Sequence, residues 1–572
     1  MNMKQLMTKW ADNINEKNVL GEYPRPLMRR KSYVNLNGIW KYAIRETKGF
    51  PKKMDGDILV PFSPEAVLSG VNRQLKPEEY LWYKRRLPDE VKPEKGSRWI
   101  LHFGAVDQCA VVYINGKKQG KHVGGYLPFS YDITEALKEE KNLLTVKVRD
   151  YSETCYYSRG KQKLKNGGMF YTAQSGIWQT VWIEKVPECY IGHLKITPLY
   201  DQSSIMIQME EEHGIKDIDY EVTITARKMW PVKASGKTGK PCVIMIPHMR
   251  SWSPEDPFLY DLHVRMGEDS VESYFAMRKV EVKNDKEGIP RIFLNNEPYF
   301  EKGVLDQGYW PDGLYTPPCD EAMIYDIQKM KDLGFNMIRK HIKIEPQRWY
   351  YHCDRLGLVV WQDMVNGGGK YKHWFVTYAA TLMSWWKIRM RDIYPGLLAR
   401  KEKEGRLEFV KEMRETVHRL KGHPSIAAWV IFNEGWGQFQ TEDMTAILRK
   451  EDPDRLIDQA SGWFDQGGGD FCSLHNYFFK LKIHPEKERA AVLSEFGGYS
   501  YRIEGHSACG KLYGYGICRN KKALNRRYRK RMEQVKKLMA EGLCASVYTQ
   551  WSDIEEEVNG IYTYDRKIRK ID

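Results

Sequence analysis

A chain of 572 residues exceeds what one hydrophobic core organises, so two to four domains are expected. With 42% hydrophobic and 29% charged residues it has the composition of a multidomain globular protein, which argues against a disordered or fibrous class. The net charge of +15 leaves an acidic partner open, but no nucleic-acid reader motif accompanies it, so no nucleic-acid partner is expected.

The start, MNMKQLMTKWADNINEKN, has no apolar core of a secretory leader, and nowhere do 18 consecutive apolar residues occur. The ten cysteines are scattered, without a CxxC pair, and predict neither a disulfide framework nor a structural metal. A cytoplasmic location with reduced thiols and no membrane partner is expected.

From about Lys31 to Lys185, short alternating apolar runs such as RWILHFGAVD and CAVVYINGKKQGKHV are broken by turn signals and predict a β-sandwich. Asn115-Gly116 between two such runs marks a hairpin, because both residues tolerate positive φ. A second β-rich stretch, roughly 188 to 283, has the length of an immunoglobulin-like unit. Predicted domains are therefore 1–187, 188–283 and 284–572.

Past Asn295-Asn296 the texture becomes apolar strand, amphipathic helix, apolar strand. A helix is predicted from Asp320 to Leu333 with its stop at Gly334, and another from about Pro346 to Leu356 with its stop at Gly357. After a less regular insertion following Met364, a helix is predicted around Leu407 to Leu420. The basic run from Arg519 to Gly542 places Leu524, Met532, Val535 and Leu538 at helical spacing and reads as a solvated amphipathic helix. Eight strand and helix alternations predict a (β/α)8 barrel.

Barrel strands are buried along their length and release polar side chains at the C-terminal rim. That rule puts Glu434 at the end of strand four, in WVIFNEGWGQ, and Glu495 at the end of strand seven, in LSEFGG. Other expected rim groups are Asp306 and Gln307, Arg339 and His341, Asp363, His475 and Tyr477, and Trp551 and Asp553. Two carboxylates across a barrel mouth suit acetal cleavage, one arriving protonated and the other ionised. Taken singly, a rim carboxylate is as readily an arginine partner; with Asn433, Trp436 and the strand count the catalytic reading prevails. Trp463 and Trp551 are candidates to stack on a sugar face, with core packing as the rival. Lys340 and Lys343 are expected as solvated surface, the alternative being contact with an acidic sugar.

These motifs resemble glycoside hydrolase family 2 over nearly the whole chain. YPRPLMRR, LNGIWKY and QSGIWQTVWIE resemble its sugar-binding jelly roll, PEDPFLYDL its immunoglobulin-like sandwich, and WVIFNEGWGQ, LSEFGG and YTQWSDIEEEVNGIYTYDR its catalytic barrel. The resemblance implies a retaining exo-glycosidase acting by double displacement, with Glu434 as acid/base and Glu495 as nucleophile. It implies Asn433 at the 2-hydroxyl of the sugar. Asp306, Arg339, His341, Trp463, His475, Tyr477 and Trp551 are the further substrate-binding candidates. No cofactor is implied.

The sequence departs from family β-galactosidases at Gln307, at Phe170-Tyr171-Thr172 and in the shortened RKH element. It departs from family β-glucuronidases at Asn559-Gly560-Ile561, which lacks their lysine. The expected substrate is a small glycoside or oligosaccharide, a β-galactoside being favoured. The alternatives are a β-glucuronidase, β-mannosidase or arabinosidase, or a non-catalytic carbohydrate-binding protein. A homo-oligomer is left open.

Overall fold

In a computed structural model, residues 6–372, 374–375 and 390–572 are described. Part of the insertion after Met364, residues 373 and 376–389, lies outside the described residues.

The N-terminal sandwich pairs two antiparallel sheets. One has four strands, Tyr33–Asn35, Val181–Pro187, Ser97–Phe103 and Phe129–Asp132. The other has six, Gly56–Val60, Gly38–Arg45, Tyr80–Arg86, Leu143–Arg149, Cys109–Ile114 and Lys117–Val123. Asn115 at φ 52° and Gly116 at φ 82° make the hairpin turn joining the last two. Period-two side chains fill the core from both sheets, Leu144, Val146 and Val148 facing Leu101, Phe103 and Ile183.

A second, smaller sandwich packs Ile191–Leu199, Ser204–Glu211 and Pro241–Met245 against a four-stranded sheet. In its strand Tyr260–Met266, Tyr260, Leu262, Val264 and Met266 are buried while Asp261, His263 and Arg265 face solvent. A separate three-stranded sheet, Val280–Asn284, Pro290–Leu294 and Glu297–Pro298, then closes the bottom of the barrel, Val280 and Ile292 packing on Met337, Val359 and Val492.

The barrel has eight parallel strands in chain order: Glu301–Asp306, Met337–Lys340, Val359–Asp363, Ile426–Val430, Leu456–Asp458, Phe471–Asn476, Ala490–Gly497 and Leu543–Thr549. Seven neighbouring pairs form hydrogen-bonded ladders. Strands five and six meet at a seam held by Ser473, whose hydroxyl donates to Asp458 at 2.8 Å, and by the Asp470 amide on the Ile457 carbonyl at 2.8 Å.

Helices Asp320–Asp332 and Gln347–Leu356 stop at Gly334 and Gly357, with φ 75° and 78°. The third predicted helix is longer than expected, Lys403–Leu420. The expected eightfold alternation is incomplete: among the described residues, strands five to six and six to seven are joined without a helix. The first of these connections carries GWFDQGGGD, whose glycines and lack of apolar period leave no helical face to bury. The basic helix spans Lys521–Ala540, buries Leu524, Val535 and Leu538, and is capped by Asn520, which accepts from the Ala523 amide at 2.8 Å.

All ten cysteines are free thiols. No helix among the described residues is long and apolar enough to cross a membrane.

Candidate active site

The fourth strand ends at Val430, and the chain runs on beside strand five: the Ile431 amide donates to Asp458 O at 2.9 Å and the Glu434 amide to Ser461 O at 3.0 Å. Glu434 itself has φ 52°, a left-handed conformation costing a non-glycine residue about 1 to 2 kcal/mol. Gly435 follows at φ 73°, where an added Cβ would stand 2.4 Å from the Phe464 ring. This turn aims the Glu434 carboxylate across the mouth toward Glu495, which lies in the seventh strand.

One hydroxyl joins the two carboxylates. Tyr477 Oη donates to Glu495 Oε2 at 2.7 Å and lies 3.2 Å from Glu434 Oε1. Those two oxygens are therefore no farther apart than the two contacts laid end to end, about 5.9 Å. Burial, then Glu495 and Glu434, push the Tyr477 phenol well above its ordinary pKa, so it remains a donor.

The surroundings of the two glutamates differ. Both Glu495 oxygens are engaged: Oε1 accepts from Arg339 Nη1 at 3.2 Å, and Oε2 from Tyr477 and from Thr549 Oγ1 at 3.4 Å. Burial alone would raise its pKa, but His475, Arg339 and Lys161 outweigh burial and hold the carboxyl well below the ordinary range. On Glu434, Oε1 is held by His475 Nδ1 at 2.9 Å and by Tyr477, whereas Oε2 has no hydrogen bond among the described residues. His475 is itself fixed by Ser461, whose Oγ lies 3.0 Å from Nε2.

Arg339 uses all five of its N–H groups beneath this pair. Nε and Nη2 grip Asp363 at 3.0 Å each, Nη2 also reaches Asn433 Oδ1 at 2.8 Å, and Nη1 reaches Ser494 O at 3.1 Å as well as Glu495. No donor remains for a ligand, so Arg339 orients its neighbours. Its donors fix the Asn433 amide with oxygen inward, which leaves the Asn433 NH2 as a donor. His341 Nδ1 lies 2.9 Å from Asp363 Oδ2. Burial, then Lys161, hold the His341 imidazole well below its ordinary pKa, so the neutral ring carries its proton on Nδ1 and offers Nε2 as an acceptor.

Expected site residues thus fall into two groups. Asn433, Glu434, Glu495, Arg339, His341, His475 and Tyr477 come together with Asp363, and the Trp463 ring lies 5.7 Å from that of His475. Asp306 is instead turned into an ion pair with Lys340 and accepts from the Gly308 amide at 3.0 Å. Trp551 is fully buried, packed on Tyr562 at 4.8 Å within the core.

The solvated reading of Lys340 and Lys343 is overturned: both are 0% exposed. Glu345 accepts from both at 2.8 and 2.9 Å, and Lys343 also donates to Gly308 O at 2.6 Å and Tyr315 O at 2.8 Å. Burial pulls the Lys343 ammonium down to about 8. Their charges are thereby consumed inside the protein.

Sequence reasoning missed three neighbours of the pair. Tyr515 stacks on Tyr477 at 4.0 Å, Ser461 fixes His475, and Lys161 arrives from the N-terminal sandwich. Phe170, from the same sandwich, stacks on Trp436 at 5.3 Å and forms part of the wall. Ser461 closes the run LIDQAS read as strand five, Tyr515 carries no strand-end signal, and Lys161 and Phe170 belong to another domain.

The family model described as glycosyl hydrolases family 2, sugar binding domain, matches residues 71–187, and that described as glycosyl hydrolases family 2, TIM barrel domain, matches residues 319–488. A β-galactosidase of Thermoanaerobacter pseudethanolicus is 24% identical over 84% of this chain and 63% of its own length. The β-glucuronidase of Felis catus is 24% identical over 72% of this chain and 65% of its own. Two Formosa agariphila relatives are longer still, the chain spanning 47% and 34% of their lengths.

Among solved structures, a β-D-glucuronidase of Dictyoglomus thermophilum aligns with TM-score 0.73 at 17% identity over 96% of each chain. A β-galacturonidase of Eisenbergiella tayi, bound to galacturonate, aligns with TM-score 0.69 at 17% identity over 96% of this chain and 97% of its own. These likenesses carry the three-part fold. With both of its domain models matched in order on one chain and a barrel that presents two facing glutamates, the protein belongs to glycosyl hydrolase family 2.

Proposed function

We propose that the chain is a retaining exo-glycoside hydrolase that removes a terminal, non-reducing β-linked sugar. The observation that carries this reading is the shared Tyr477 hydroxyl, which keeps the nearest oxygens of Glu434 and Glu495 within about 5.9 Å. Retaining enzymes hold their carboxyl groups about 5 to 5.5 Å apart, whereas inverting enzymes need about 6.5 to 9.5 Å to admit a water.

The unequal surroundings support distinct roles for the two glutamates. Glu495, ionised and held by donors on both oxygens, attacks the anomeric carbon. Glu434 keeps Oε2 free toward the departing oxygen and delivers the proton, a contribution of about 10²- to 10⁴-fold in rate. The aglycone then leaves, and Glu434, now ionised, takes a proton from the water that releases the sugar from Glu495. Asn433, its oxygen tied to Arg339, presents its NH2 to the 2-hydroxyl. A non-catalytic carbohydrate-binding protein would have no use for this division between the two glutamates. The names of the relatives divide between β-galactosidase and β-glucuronidase, so the geometry supports the reaction more narrowly than the sugar.

The test is turnover of nitrophenyl β-glycosides with the first-formed anomer followed by NMR. Release of the β-anomer, lost in Glu495→Gln, is expected; release of the α-anomer, or full activity in a folded Glu495→Gln, refutes the reading.

A further inference from the structure

Residues 158–172 leave the N-terminal sandwich and cross the barrel mouth. Ser158 bridges Gly367, just past the third barrel strand, and the amides of Arg159 and Gly160 both donate to Asn366 O, at 2.9 and 3.1 Å. Gly160, at φ 63°, passes so close to the rim that a Cβ would stand 3.0 Å from the carbonyl of Ile342, the residue after His341.

The following segment is fixed from the opposite side of the mouth. The Lys161 carbonyl accepts from the Tyr171 amide at 2.9 Å, and Gln162 and Lys163 pair with Tyr171 and Thr172. Three consecutive glutamates beyond the eighth barrel strand grip this layer. Glu555 accepts from the Thr172 amide at 2.9 Å and Asn166 Nδ2 at 2.6 Å, Glu556 from the Gly168 amide at 2.8 Å, and Glu557 from the Tyr171 hydroxyl. Lys161 is clamped between the two anchorages.

Its side chain is half-buried, with the ammonium 5.8 Å from the centre of the Tyr171 ring. Among the described residues it has neither an ion pair nor a hydrogen-bond acceptor. Its charge nevertheless reaches the floor of the site, where it acts on both His341 and Glu495. The other cations of the floor are already occupied: Arg339 spends every donor, and Lys340 and Lys343 are paired with Asp306 and Glu345. An anionic sugar entering past Glu434, Glu495 and Asp363 meets repulsion unless a fixed cation offsets it. Among the described residues, Lys161 is the unpaired cation that acts on this floor.

We propose that Lys161 is a specificity-determining residue whose ammonium pairs with a carboxylate on the terminal sugar, so that the site prefers a hexuronic acid to a neutral hexose. The inference rests on the hydrolase reading for the place where the sugar sits. A lysine that served only to keep Glu495 ionised would act on every substrate alike, whereas a partner for the sugar's carboxylate changes the ratio between charged and neutral glycosides.

The experiment compares kcat/KM of the full chain, Lys161→Gln and Lys161→Arg on nitrophenyl β-glucuronide, β-galacturonide, β-galactoside and β-glucoside. The wild type is expected to favour a uronide, and Lys161→Gln to lower the uronide-to-neutral ratio about 10²-fold, mainly through KM. Lys161→Arg should keep most of the preference. A ratio unmoved in Lys161→Gln, or a wild type faster on neutral hexosides, overturns the proposal.

Calorimetric binding of glucuronic and galacturonic acids to Glu495→Gln, with and without Lys161→Gln, gives a readout independent of turnover. Weakening by about 10²-fold in the double variant is expected; equal binding in both, or no binding of either acid to Glu495→Gln, overturns the role of Lys161. If no nitrophenyl glycoside is cleaved while uronate binding still depends on Lys161, the hydrolase reading fails and the assignment of Lys161 survives.

Discussion

The Tyr477 hydroxyl lies 2.7 Å from Oε2 of Glu495, and burial beside carboxylates keeps it protonated. It therefore supports the carboxylate that must stay ionised. Tyr477→Phe retains the ring that stacks on Tyr515 at 4.0 Å and removes only the donor. The variant should fold normally and lose about 10²-fold in kcat/KM, the scale of one preorganised hydrogen bond. The acidic limb of its pH–rate profile should move upward, because Glu495 loses a group that favours its charged form. An unmoved limb would show that Tyr477 has no hold on Glu495.

Arg339 is the buried charge on which the floor depends. Arg339→Met leaves Asp363 and Glu495 without their ion-pair partner, and loss of one partner in such a buried cluster costs about 3 to 5 kcal/mol. Denaturant titration should show the loss as a lower midpoint. A variant as stable as wild type would mean that water or rearranged neighbours satisfy both carboxylates.

The strap across the mouth is held by the Tyr171 hydroxyl on Glu557, and Glu557 keeps a second donor, Asn559 Nδ2, at 3.0 Å. Tyr171→Phe should therefore cost only about 1 to 2 kcal/mol overall. The loss should be local: faster proteolysis within 158–172 and a higher KM, with kcat less affected. Uniformly faster proteolysis across the chain would place the defect elsewhere.

Stability should fall in acid through Glu184 and Asp320. Burial raises both, but Arg25 and Arg30 around Glu184, and Arg348 and His352 around Asp320, reverse it and hold each carboxyl below its ordinary value. A carboxyl depressed in the folded state contributes stability above its unfolded pKa and loses that contribution as pH falls through the folded one. The contribution of these two carboxylates to the denaturant midpoint should thus be level from about pH 7 to 5 and drop below about pH 4. Glu184→Gln should be less stable at neutral pH and show a shallower drop; an equally steep drop would remove Glu184 from the account.

Much of the barrel was legible because its signals are local. Gly334 and Gly357 end helices through their own φ, and WVIFNEG and LSEFGG combine a buried strand with a polar exit, so Glu434 and Glu495 could be placed at the rim from sequence. Lys340 and Lys343 could not, since nothing beside them in the chain announces that Asp306 and Glu345 fold against them. Trp551 follows a strand end as the rim residues do, yet packs inward on Tyr562, a choice made by the loop after strand eight. Lys161 was the least visible. Its place depends on Glu555, Glu556 and Glu557, almost four hundred residues away, gripping the strap that carries it.

Central to the account is Glu495 as the atom donor to the anomeric carbon, and covalent trapping tests it most directly. Incubation with an activated fluoroglycoside of the preferred sugar, followed by proteolysis and mass spectrometry, should find one sugar per chain, attached to the peptide containing Glu495, and none in Glu495→Gln. A label on another residue, or turnover of the reagent by folded Glu495→Gln at the wild-type rate, would contradict it.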